Sequence, residues 1–382
     1  MQQPDKLTAP SSYPAGGKAD ISAYLPAGSH IEAVVCYRKP HDTHYNLLIQ
    51  NQQPLVLNSL QQVPLTGGYV VMPFVVTPHT PVVFITPDIQ EHLALPAPQL
   101  AHTLYTHTDE AAQRLSYQGT FAAAHSRLLQ GELQKMVLSR RLHINLQAQT
   151  ETAALQQPQL HQLCTRGFDL FLKACHYRPN SFVSFWWTRQ TGAWLVATPE
   201  PLLEKRNHGF GTIALAGTLP WKNGCEPQWD HKNREEQAIV ARFIAQQLQG
   251  VATDVKQSET YSLRAGNIQH LCTDFNFGLP SDKAIRQLLC HLHPTPAVCG
   301  LPRNEALKAI VNDETEPRRY YAGFSGPLLL QGDTSLYVSL RCMEFDLEQA
   351  TLYAGGGLMP ESNEQDEWDE TGRKLQTMLQ LF

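Results

Sequence analysis

Apolar positions follow two rhythms along the chain. In the first hundred residues, EAVVCYR (32–38), NLLIQ (46–50), GYVVMPFVV (68–76) and PVVFIT (81–86) are short β-branched runs punctuated by Gly, Pro and Asn, which predicts strands. From about Asp109 to Leu129 the period becomes helical, with Ala112, Leu115, Phe121 and Leu128 roughly on one stripe. KMVLSRRLHINL (135–146) reads as a strand and FDLFLKACH (168–176) as helical. FVSFWWT (182–188), AWLVAT (193–198) and TIALAGT (212–218) form a strand-rich block, the last two apolar enough to be buried on both faces. A helix over 234–249 turns Ile239, Val240, Phe243, Ile244 and Leu248 inward, with Gly250 as its C-cap. A helix over 304–313, strands over 335–345 and 350–355, and a helix from about Asn363 to Leu381 complete the chain. Strands and helices mix without regular βαβ alternation or a fixed repeat, which predicts an α+β fold: a strand-rich N-terminal part (1–105) and a catalytic region (106–382), integrated as one domain.

Composition narrows the class. With 382 residues, 42% hydrophobic, and 24 Gly and 26 Pro, the chain is neither collagen-like nor mainly disordered. A net charge of -5 without a run of five or six like charges removes nucleic acid as the default partner. The N-terminus lacks the sectors of a signal peptide, and the apolar stretch FVVTPHTPVVFIT is broken at Pro78 and Pro81, so a cytoplasmic protein without a membrane partner is expected. The eight cysteines contain no CxxC pair, which removes zinc-ribbon and thioredoxin chemistry and leaves small buried thiols.

The last helix carries Glu367, Glu370 and Lys374 on one face, with Trp368, Leu375, Leu379 and Phe382 as the buried stripe. Carboxylates one turn apart repel unless neutralised. Either Glu370 pairs with Lys374 on a solvated face, or the face binds a divalent cation, with Mg²⁺ keeping several waters and sharing an anionic substrate. Glu235 and Glu236 would supply a second side, or are acidic residues favoured at a helix N-terminus. Spacing alone leaves both readings open.

Nine segments taken together resemble, in order and spacing, the chorismate-utilising enzymes. They are LQKMVLSRR (133–141), LVATPEPLL (195–203), ALAGT (214–218), HLCT (270–273), LHPTPAVCGLP (292–302), YYAGFSG (320–326), VSLRCMEF (338–345), YAGGGLMPES (353–362) and EWDETGRK (367–374). The resemblance covers about residues 110–382 and implies the fold of anthranilate synthase component I: two packed β-sheets with outer helices around a cleft that binds chorismate with Mg²⁺. It assigns Glu236 and Glu370 to the metal, with Glu367 near it through water. It gives the substrate carboxylates to Arg341, Tyr321 and the backbone around Gly217–Thr218, Gly355 and Gly356. His270 is placed near the substrate and Ala297 on the ring pocket. A dianion calls for a fixed guanidinium and main-chain N–H groups, and glycines let the backbone approach.

Two positions separate the branches of this family. Aminating members typically have Gln where this chain has Lys135. Aminodeoxychorismate synthases commonly carry a Lys where Ala216 stands. The resemblance therefore implies addition of water at C2 of chorismate with loss of the C4 hydroxyl, as in an isochorismate synthase serving menaquinone or siderophore formation, with Lys135 as base and Glu200 as acid. A salicylate synthase, which goes on to eliminate pyruvate, is the alternative. No glutamine amidotransferase subunit is expected, and the chain is expected to be a monomer or weak homodimer. The acid must have its pKa raised, and the base must be desolvated or crowded by positive charge. Three departures from the family pattern stand out: Gln237 for the usual His, Arg319 for a common Gly, and Pro201 for a frequent Arg.

Overall fold

In the computed structural model, residues 21–25, 30–98, 103–107, 110–147, 159–221, 227–265 and 268–382 are described. They form two ten-stranded sheets in which every ladder between neighbouring strands is antiparallel. The first sheet runs Gly300–Leu301, Lys135–Leu146, Gln349–Leu358, Cys342–Phe345, Gly192–Thr198, Phe182–Thr188, Ala33–Arg38, His44–Gln50, Ile89–Ala94, with Tyr105–His107 also on Lys135–Leu146. The second runs Thr253–Gln257, Ile268–Gly278, Gly209–Pro220, Pro201–Arg206, Ser335–Val338, Phe324–Leu328, Gly68–Met72, Val82–Ile85, Leu55–Leu57, with Tyr261–Ala265 also on Ile268–Gly278. The strands of the first hundred residues are divided between both sheets.

Six α-helices surround them: α1 (Glu110–Leu129), α2 (Gln159–Tyr177), α3 (His231–Leu248), α4 (Asp282–Leu292), α5 (Arg303–Asp313) and α6 (Glu364–Leu379). Their starts are locally encoded. Asp230 accepts the Asn233 N–H at the head of α3, and Asn363 accepts those of Gln365 and Asp366 at the head of α6. Gly250, just past α3, takes φ +75°, the left-handed stop that its position predicts.

Apolar alternation sorts the strands of the first sheet into two cores. Val35, Phe182, Trp186 and Trp194 join Tyr69, Phe84, Leu203 and Phe275 of the second sheet, while Val34, Cys36, Val183 and Phe185 face α2 and the end of α6. A strand buried on both faces has no polar alternation, which is why these segments read as unbroken apolar runs. None of the seven described cysteines is disulfide-bonded, and six of them are buried; Cys225 lies outside the described residues, as do residues 1–20. No described helix is long and apolar enough to cross a membrane.

Three expectations need correction. The inward stripe of α1 is Tyr117, Phe121, Ala124 and Leu128, whereas Leu115 is 70% exposed and Ala112 also faces outward. The apolar run 335–345 is two strands, Ser335–Val338 in the second sheet and Cys342–Phe345 in the first. Strand Pro201–Arg206 and helix α4 were not foreseen. Phe171 of α2 is fully buried in the outer core, far in sequence from every candidate site residue. Phe171→Ala should cost about 3–5 kcal/mol of stability, read from urea denaturation; a cost below about 1 kcal/mol would mean that α2 is not a cohesive part of this core.

Candidate active site

Two strands change sheets side by side. Gly192–Thr198 leaves the first sheet through Pro199 and Glu200 and resumes as Pro201–Arg206 in the second. Ser335–Val338 makes the opposite passage through Ser339–Arg341 into Cys342–Phe345. Hydrogen bonds lock the two crossings together: the Val338 N–H donates to the Glu200 carbonyl (3.0 Å) and the Ala197 N–H to the Arg341 carbonyl (3.1 Å). Arg341 is therefore a crossover residue rather than a strand residue, and takes φ +47°. That left-handed conformation costs an L-residue about 1–2 kcal/mol and is held here by the structure around it.

Glu200 is 4% exposed, and burial raises its carboxyl to a pKa of about 7, against the opposing pull of Lys135, Arg341 and Lys374. Lys135, at the start of its strand, is fully buried, with Nζ 3.0 Å from Glu236 Oε1 in an ionic contact rather than a hydrogen bond. Arg341 Nη2 donates to His270 Nε2 (2.9 Å), and His270 Nδ1 donates in turn to the Gly217 carbonyl (2.9 Å), which assigns a neutral, Nδ1-protonated ring. Burial first, then Arg341 and Lys374, hold that imidazole's pKa well below its ordinary value. Burial and Arg178 lower Arg341 to about 10, so it stays charged at neutral pH. The Thr218 N–H donates to Asn233 Oδ1 (2.8 Å), fastening Gly217–Thr218 to the first turn of α3.

A single cleft is lined by Glu200, Gly217, Thr218, Glu236, His270 and Arg341. Ala297, Tyr321 and Gly355 line it too, with Tyr321 buried and its phenol pKa raised by that burial. Gly355–Gly357 lies opposite Val137–Ser139 in register. Gly355 and Gly357 face the cleft, while Gly356 turns toward α6. Lys135, Glu367 and Glu370 are not on its lining: Lys135 stands behind Glu236, and the other two behind Gly356.

The three carboxylates that the resemblance places at the metal are each held by a lysine, whereas Glu235 is partly exposed and paired with Arg242 (2.6 Å). Glu236 has Lys135, Glu367 accepts from Lys232 (2.6 Å), and Glu370 accepts from Lys374 (2.7 Å). Burial and then the Glu370 charge raise the Glu367 pKa. Burial also pushes Glu370 up, but Lys374, Lys232 and the Thr218 hydroxyl outweigh it and leave Glu370 low. Lys232 and Lys374 were missed as site residues in their own right. Lys374 was read only as the partner of Glu370, yet it also donates to the Gly355 carbonyl (2.8 Å) and lines the cleft. Lys232 stands one turn before Glu236, a spacing that could have revealed it. Gly357 was missed as well: a Cβ there would stand 2.0 Å from Glu236 Oε1, so any side chain would displace that carboxylate.

The donor chemistry fits a hard divalent cation. Three carboxylates act on one ammonium, Lys232, which occupies the position of a counter-ion among them. Beside them Tyr117 is buried, feels the charges of Glu367 and Glu370, and has a hydroxyl without a hydrogen-bond partner among the described residues, a group that a hydrated cation would satisfy. No three described His, Cys, Asp or Glu side chains are yet drawn together as a ligand set, so binding would require the lysines to give way.

The departures have local partners. Gln237 Nε2 donates to Thr273 Oγ1 (2.7 Å), and Arg319 is paired with Glu344. Pro201 opens its strand, where a missing N–H is tolerated.

Residues 68–382 match the family of chorismate binding enzymes, and the chain belongs to that family. It is similar to the isochorismate synthase EntC of Escherichia coli (strain K12), 32% identical over 200 residues, which spans 50% of this chain and 51% of that relative, about half of each. Isochorismate synthase DhbC of Bacillus subtilis (strain 168) is 30% identical over 295 residues, covering 74% of this chain and 71% of that one. The solved structure of MenF, the menaquinone-specific isochorismate synthase from Escherichia coli, has the same fold, with a TM-score of 0.72 at 21% identity over 93% of this chain and 90% of that one.

The raised Glu200 pKa predicts a pH-dependent stability difference. The folded chain holds this proton up to about pH 7, whereas the unfolded carboxyl loses it near 4.5, so the stabilisation from protonated Glu200 is complete below 4.5 and lost as pH rises through 7. Glu200→Gln, which does not titrate, should gain on the order of 3 kcal/mol over the unsubstituted chain at pH 8 and little at pH 5, measured by urea denaturation. Equal differences at the two pH values would mean that the carboxyl titrates normally.

Proposed function

We propose that this chain is an Mg²⁺-dependent isochorismate synthase acting in the cytoplasm. The observation that carries the reading is a carboxyl with a pKa of about 7 lining the same cleft as a guanidinium charged at neutral pH, with a fully buried lysine close enough to oppose its burial shift. In this reading Arg341 and Lys374 take the carboxylates of chorismate, helped by the Gly217–Thr218 and Gly355 backbone, and Ala297 and Tyr321 bound the ring. A water oxygen bonds to C2, the ring double bonds shift, and the C4–O bond breaks. Lys135 would have to leave Glu236 and enter the step as the free amine, and it then accepts the proton of the attacking water. Glu200 donates its proton to the departing C4 hydroxyl, which leaves as water; a leaving group of that kind needs an acid that is still protonated near neutrality.

Glu236 and Glu370 would hold Mg²⁺, with Glu367 reaching it through water; the bound ion supplies positive charge for a substrate carboxylate. Neutral His270 takes no proton in this scheme. It keeps Arg341 aimed while its other nitrogen is committed to the Gly217 carbonyl.

Incubation with chorismate and Mg²⁺, with and without ammonium, should yield isochorismate alone. Lys135→Ala and Glu200→Gln should each lower turnover at least about 1,000-fold with the fold retained, in line with loss of a proton-transfer group. Salicylate with pyruvate would make the chain a salicylate-forming enzyme, an aromatic amine as the main product would overturn the role of Lys135, and near-native rates in either variant would remove the assigned acid or base.

A further inference from the structure

Behind the cleft, Glu314 and Arg318 form a buried ion pair four residues apart, with side chains 5% and 1% exposed. Arg318 Nε and Nη2 donate to the Glu314 carboxylate, with Nε–Oε2 at 2.9 Å and Nη2–Oε1 at 2.6 Å. The remaining guanidinium donors reach main chain: Nη2 to the Val137 carbonyl (2.7 Å) and Nη1 to the Val298 carbonyl (2.7 Å). Glu314 Oε1 also accepts the Ser139 N–H (2.9 Å), and the Arg318 carbonyl accepts the Tyr321 N–H (3.0 Å). Three segments meet at this pair: the strand that begins with Lys135, the turn that carries Ala297, and the turn that carries Tyr321. Val137, Val298 and Tyr321 all line the cleft.

A buried ion pair is weak evidence of stabilisation, because desolvation offsets the attraction. Its geometric effect is clearer. The short ladder of Gly300–Leu301 with Lys135–Met136 ends beside this pair, where the Val137 N–H donates to the Cys299 carbonyl (2.8 Å). A planar guanidinium with fixed donors extends that tie by holding the Val137 and Val298 carbonyls at a set separation, whereas an ammonium would bind at most part of that set. The groups that would hold the substrate carboxylates, Arg341, Lys374 and Thr218, stand on other elements.

We propose that Glu314 and Arg318 are positioning residues that set the base-bearing strand against the ring-facing turns, and so govern the chemical step rather than substrate capture. The kinetic part of this proposal rests on the isochorismate synthase reading above.

The test uses the full chain with Mg²⁺ and chorismate. Arg318→Lys should lower kcat roughly 10- to 100-fold, the scale of an ångström-sized misplacement, while KM changes less than about threefold. Glu314→Gln, which keeps an acceptor for Ser139 and for Arg318, should recover most of kcat. A folded Arg318→Lys chain with wild-type kcat, or kcat and KM worsening together by similar factors, overturns the proposal. If Arg318→Lys does not fold, the pair variant Glu314→Leu with Arg318→Met, which leaves no lone buried charge, is read by the same kinetics.

Hydrogen exchange separates this failure from failure of the assigned reaction. Should the unsubstituted chain leave chorismate unchanged, the reaction assignment falls. Arg318→Lys is then expected to speed exchange at both 135–139 and 297–299 while 349–354 stays protected. Unchanged exchange at the first two segments overturns the positioning role.

Discussion

The site depends on one constraint of the backbone: two antiparallel neighbours leave their sheets at the same level. Because Val338 is bonded to Glu200 and Ala197 to Arg341, neither crossing can shift along its strand without breaking the other. A carboxyl and a guanidinium far apart in sequence are thereby set on one wall of one cleft. The second wall comes from the register between Lys135–Leu146 and Gln349–Leu358, which sets Gly355–Gly357 opposite Val137–Ser139. Strand ladders define position to a fraction of an ångström, whereas loops seldom do, and the candidate residues Lys135, Glu200 and Arg341 sit at or beside the ends of ladders.

Burying this many charges is costly unless each is matched. Three carboxylates are held by three lysines, and Arg341 is met by a neutral imidazole and a carbonyl. Glu200 is the exception: Lys135, Arg341 and Lys374 pull its pKa down, yet burial outweighs all three. The result is an acid that remains protonated near neutrality beside fixed positive charge. A dianion held by Arg341 and Lys374 would cancel much of that opposing field and raise the Glu200 carboxyl further, so substrate itself would prepare the acid. The lysines that neutralise the carboxylates also mark where a divalent cation would have to compete.

Much of this was legible in the sequence because it is local. Lys135 at the head of an apolar strand, Glu200 after a buried run, and the Glu367–Glu370–Lys374 spacing required only periodicity and a resemblance in motif order. What stayed hidden is relational. The run 335–345 gives no sign that Ser339–Arg341 crosses between sheets, since apolar residues flank the crossing on both sides and periodicity cannot register a change of partner. A stripe of leucines and alanines fits more than one face of α1, so the pattern places Leu115 inward, whereas packing against Lys135–Leu146, α5 and Trp368 of α6 chooses the face of Tyr117 and Phe121. Lys232 and Gly357 matter through what they touch, and neither residue type announces it.

The departures from the family pattern show how far the frame tolerates change. Gln237 on α3 reaches under the second sheet to Thr273, so the helix that carries Glu236 is tied to that sheet by a buried hydrogen bond from a group that does not titrate near neutrality. Arg319 takes φ +52° where glycine would be unstrained, and its guanidinium is held by Glu344 and by the Thr191 carbonyl (3.2 Å). Glu344 also accepts the hydroxyl of Tyr353 (2.9 Å), whose ring stacks on Tyr321 at 5.5 Å. The strain of a side chain at position 319 is thus taken up by contacts that end on the aromatic wall of the cleft. Replacement is possible there because the neighbouring Arg318 already fixes the turn through Val137 and Val298, leaving residue 319 free to face the other way.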